Sequence, residues 1–103
     1  MDETNNTLNE IPEASFIGII LFLATIASQH LGLVKNPLSD KVEKDTRLAK
    51  YSIDSLEILK DKTKNNLAKE ESELLESILS ELKLAYIKVE ADGNTKNNPP
   101  ISL

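Results

Sequence analysis

The sequence predicts an all-α protein of three helices, and three observations predict it. The run FIGIILFLATIA, Phe16 to Ala27, is interrupted only by Gly18 and Thr25. The stretches Leu48 to Leu59 and Leu74 to Val89 each repeat apolar residues at spacings of three and four. Such spacings put side chains on one face of a helix with 3.6 residues per turn.

Residues 1–11 are rich in Asn, Thr, Asp and Glu, hold almost nothing to bury, and are expected to form a disordered acidic tail. Pro12 suits a first helical turn and Glu13 the positive end of a helix dipole, so helix one is expected over about 13–31. Gly32 then offers a left-handed C-terminal cap, with Leu33 folding back as its apolar partner. With Phe16 at zero on a helical wheel, the large apolar side chains from Phe16 to Ile26 spread over roughly 260°, whereas an ordinary surface helix buries a stripe of about 100°. A narrow strip of Ala14, Gly18, Thr25, Gln29 and Gly32 remains. It reads either as the only wet face or as a groove where another helix backbone comes close.

An Asn-Pro pair and alternating charge make 34–45 a loop able to reverse the chain, with Leu38 and Val42 expected against the helices. Helix two, about 46–62, carries Leu48, Ala49, Ile53, Leu56 and Leu59 on one stripe and Tyr51 and Ile58 on a patch beside it. Asp45 at its start and Lys60, Lys62 and Lys64 at its end have the sense the dipole favours. The link 63–68 is short, which predicts an antiparallel hairpin of helices two and three, and Asn65-Asn66 suits a left-handed residue. Helix three, about 69–89, gathers Leu74, Leu75, Ile78, Leu79, Leu82, Ala85, Tyr86 and Val89 within about 140°. Leu84 and Ile87 fall outside that arc, as chance exposure or a second contact. Residues 91–103, with Gly93 and Pro99-Pro100, read as a flexible C-terminal tail, so the single domain is 12–90.

Composition narrows the classes of function. A chain of 103 residues without Cys and with one His has neither a disulfide frame nor a Cys/His metal site, so oligomerisation or tight helix packing must steady a small core. A net charge of −5, one arginine and four aromatic residues argue against a nucleic-acid partner. The apolar run is well short of the roughly 20 residues of a membrane span. Acidic residues without Lys or Arg before Phe16 argue against a signal peptide, and the chain reads as cytoplasmic.

Little chemistry is specified. His30 is the one side chain suited to proton transfer near neutral pH, but no partner is set beside it, and a helix C-terminus favours such a residue anyway. Glu70, Glu71, Glu73 and Glu76 at the start of helix three read as a solvated face that suits the dipole rather than a metal cluster. The segment KDKTKNN, Lys60 to Asn66, is diluted by Asp61 as an anion site. There is no glycine-rich phosphate loop and no nucleophile elbow, so no catalytic, cofactor or metal residue is assigned and enzyme activity is not expected.

The blocks ASFIGIILFLATIASQHLGL, LAKYSIDSLEILKDKTKNNL and EESELLESILSELKLAYIKV, from Ala14, Leu48 and Glu70, resemble a bacterial family known as domain of unknown function DUF1844. The resemblance covers about 13–89. Its most specific part is Ala49, Ile53, Asp54 and Leu56 followed by Lys62-Thr63-Lys64 and Asn66-Leu67. The chain departs from the family pattern at Asn65, where glycine is usual, and at Ala68, where a Thr N-cap is usual. The resemblance implies a small helical protein and carries over no catalytic or binding residue.

Two amphipathic stripes can cover about half of helix one. Its other face, Ile17, Gly18, Leu21, Phe22, Thr25 and Ile26, is therefore the expected interface of a homodimer or higher symmetric oligomer. Other occupants of the same face are an unidentified protein, or a membrane bilayer into which helix one inserts. A small-molecule carrier with ligand between the helices is a weaker third class.

Overall fold

The computed structural model describes residues 11–97. They form three helices, α1 (Phe16–His30), α2 (Thr46–Lys62) and α3 (Lys69–Asn97). Among the described residues there is no strand, only an isolated bridge between Asn36 and Lys41. The protein is all-α. The acidic tail expected over 1–11 lies outside the described residues except for Ile11, which is exposed.

Helix α1 begins three residues later than Pro12 and Glu13 suggest, because Ser15 is its cap. Ser15 is extended, with φ −155° and ψ 161°, and its Oγ accepts from the Gly18 backbone N–H at 2.9 Å. One of the first orphan donors is thereby satisfied. At the other end Gly32 is left-handed, φ +83°, as its residue type foretells. The Gly32 N–H donates to the Gln29 carbonyl at 3.0 Å and the Leu33 N–H to the Ser28 carbonyl at 3.0 Å, the paired bonds of a Schellman cap. Leu33 does not close over that cap, however, and is exposed.

The loop before α2 is organised around Asn36. Its backbone N–H donates to the Lys41 carbonyl at 2.8 Å, its Oδ1 accepts from the Leu38 N–H at 2.9 Å, and its Nδ2 donates to Glu43 Oε1 at 2.9 Å. By closing on itself the loop turns Leu38 outward, and Val42 is exposed as well, so neither covers the helices as expected. Asp45 then ties the loop to both flanking helices. Its N–H donates to the His30 carbonyl at 2.8 Å, and its Oδ1 accepts from the Arg47 and Leu48 N–H groups, capping α2.

Between α2 and α3, Asn65 takes φ +69°. Glu57 of α2 meets Lys83 of α3 at 2.5 Å, while Lys50 and Asp54, further toward the start of α2, line a cleft with Tyr86 and Glu90, further along α3. Partners climb one helix as they descend the other, which is the order of two antiparallel helices. Helix α3 does not stop near Val89 but runs to Asn97, so the tail expected from 91 is helical for seven residues. Gly93 does not end it, because a single glycine inside a helix costs only about 1 kcal/mol relative to Ala. The first residue after it that a helix interior excludes is Pro99.

One core joins the three helices. Ile20, Ala27 and Leu31 from the first segment meet Ala49, Ile53 and Leu56 of α2 and Leu75, Leu79 and Leu82 of α3. Ser52 is also buried, and the small side chains Ala27, Ala49 and Ser52 let helices approach closely. Leu48, read as part of the buried stripe, is instead exposed.

Candidate interaction surface

The packing turns one side of α1 inward: Ile20 and Ala27 are buried, with Phe16, Leu23 and Ala24 packed against the core. The opposite side is open. Leu21 is 48% exposed, Phe22 65% and Ile19 48%, with Gly18 and Thr25 exposed between them. On a helical wheel these five residues form one continuous arc of about 160°.

This surface asks for no polar partner. From Phe16 to Gln29 α1 has no charged residue. The Thr25 hydroxyl donates to the Leu21 carbonyl at 2.8 Å, so it is satisfied within its own helix. Gly18 adds no side chain, and a Cβ built on it would meet only Ser15 Oγ, at 3.2 Å. The six residues singled out from the sequence divide accordingly: Gly18, Leu21, Phe22 and Thr25 lie on the open face, whereas Ile17 and Ile26 are half-buried at its margins. Sequence reasoning misses Ile19. Its spacing of three from Phe22 is the signal that could have found it.

His30 ends α1, and its Nδ1 is buried with no hydrogen-bond partner among the described residues. The turn between α2 and α3 borders a depression of about 770 Å³ whose wall holds Lys60, Lys64 and Lys69 but also Asp61, Glu73 and Glu76. Lys69 and Glu73 are 4.0 Å apart. Among the described residues no group of three His, Asp or Glu side chains converges to hold a metal ion.

Among the described residues three groups have shifted proton affinities. The Asn36 side-chain amide, followed by Ser39 and then by Lys41 and His30, holds the Glu43 carboxyl below its ordinary value of 4.5. Asp54, bonded to Lys50 Nζ at 2.8 Å, raises the Lys50 ammonium above its usual range. Burial, with the nearby Glu90 charge, raises the Tyr86 phenol. Each is explained by ordinary loop or helix contacts.

No helix among the described residues is long and apolar enough to cross a membrane. No curated protein and no solved structure matches the chain. A family model does match, over residues 13–88, and those residues include the core, both interhelical turns and the open face of α1. The chain therefore belongs to the family described as domain of unknown function DUF1844.

Proposed function

We propose that the protein is a non-enzymatic association module that pairs with a second copy of itself through the open face of α1. The observation that carries this reading is the exposure of Leu21, Phe22 and Ile19 together on one helix side. Fully burying a Leu or Phe side chain contributes about 1.5–3 kcal/mol, so three of them on one arc favour a covering surface.

A second copy is the partner that fits. The chain carries a net charge of −5, which opposes the approach of like molecules wherever charged surfaces meet. The α1 face is uncharged, so two copies that meet there incur less of that penalty than at a charged surface. A two-fold contact would place the same patch on both sides.

Sedimentation of wild type and Phe22→Glu tests the proposal. Wild type should associate at micromolar concentration, and Phe22→Glu should lose that contact while keeping its helical circular dichroism. A bilayer partner gives a different result, flotation of the protein with liposomes. Interfacial helices carry Lys or Arg on their polar side, and α1 has neither.

A further inference from the structure

We infer that the outer side of α3 is a second self-association surface, pairing antiparallel with the same side of another copy. Leu84, Ile87 and Ala91 follow one another at spacings of three and four, on the side of α3 away from the buried Leu75, Leu79 and Leu82. Leu84 and Ile87 are 69% and 63% exposed. Beside them runs a groove of about 570 Å³ lined by Leu33, Leu84, Ala85, Ile87 and Lys88. Because α3 continues to Asn97, this seam has regular helix on both sides of it.

Charge selects the occupant and its direction. In paired helices the residues flanking an apolar seam set partner choice and orientation. Glu81 and Lys88 flank this seam, and no ion pair engages either of them among the described residues. An antiparallel copy, related by an axis between Leu84 and Ile87, sets Glu81 of one protomer near Lys88 of the other, once on each side of the axis. Lys83 and Glu90 repeat the same complementary spacing along the other flank, where Lys83 also holds Glu57 at 2.5 Å. Parallel pairing would instead oppose Lys83 to Lys88 and Glu76 to Glu81. Like charges there disfavour it.

The α3 contact stands independently of the α1 contact. Used together, two isologous faces on one chain build an assembly larger than a dimer, closed as a tetramer where their two-fold axes cross at right angles, and only that larger assembly rests on the α1 reading. The test is sedimentation equilibrium of wild type, Lys88→Glu and the double variant Glu81→Lys/Lys88→Glu, each also on a Phe22→Glu background, with circular dichroism to verify helix content. Lys88→Glu should weaken the α3 contact by about tenfold, and the double variant should restore it. Phe22→Glu alone should still dimerise. If Phe22→Glu changes nothing while Lys88→Glu dissociates the protein, the α3 contact stands and the α1 reading fails. A monomeric Phe22→Glu protein, or a double variant no better than Lys88→Glu, overturns the α3 contact.

Discussion

Gly32 and Glu43 show how single residues hold the two ends of the first loop. Gly32 sits at φ +83°, and an added Cβ would lie 3.2 Å from the Lys44 side chain. Lys44 can move, but the left-handed backbone strain stays. Gly32→Ala should therefore cost about 1–2 kcal/mol, read from the shift in the urea unfolding midpoint. Glu43 works through charge. Its folded pKa is depressed, chiefly by the bond from Asn36, so its contribution to stability is present above 4.5 and is lost as pH falls through the lowered folded value. Stability of the wild type should fall over that acid window more than that of Glu43→Gln, as measured by urea unfolding across pH. Left-handed positions are legible in the sequence where residue type selects them, at Gly32 and Asn65. Asp40, at φ +59°, is not, since most aspartates are right-handed; here its N–H donates to the Asn36 carbonyl at 2.7 Å and its carboxylate lies 3.8 Å from Lys35 Nζ.

Among the helices, α3 has an incomplete start. The Ala68 N–H donates to Glu71 Oε1 at 2.9 Å, and the Ala68 carbonyl accepts from the Ser72 N–H at 3.0 Å. That is one half of a capping box, lacking the hydroxyl that would satisfy a second donor. Ala68→Ser should complete it and raise stability by about 1 kcal/mol, seen as a higher urea midpoint with an unchanged slope. Helix existence is written plainly in the apolar spacings. Ends are harder: Pro12 and Glu13 suit a helix start, but the bond from the Gly18 N–H to Ser15 Oγ sets it after Ser15. The far end of α3 is easily misread because Gly93 and Asn94 resemble punctuation, although neither forbids a helix.

For the whole molecule, the excess apolar circumference of α1 is the most informative feature of the sequence. It marks Ile17, Gly18, Leu21, Phe22, Thr25 and Ile26 as a face expected to seek contacts beyond α2 and α3 before any fold is known. It does not separate Ile17 and Ile26 from Ile19, because which neighbour covers each edge of the arc depends on how α2 and α3 cross α1. The seam on α3 is visible in the sequence only as two residues out of place, Leu84 and Ile87; its charged flanks gain meaning once the helix continues past them. His30 ends α1, whereas folding brings Glu73 and Glu76 of α3 onto the same depression as Lys60 and Lys64 of the turn, where charges of both signs mix.

The most direct measurement is sedimentation velocity of wild type and Phe22→Glu over a micromolar concentration series. The wild-type sedimentation coefficient should rise with concentration to that of an oligomer, and Phe22→Glu should settle at a smaller species with its helix content intact. A wild type that remains a monomer throughout, or a Phe22→Glu protein that associates as wild type does, would contradict pairing through α1.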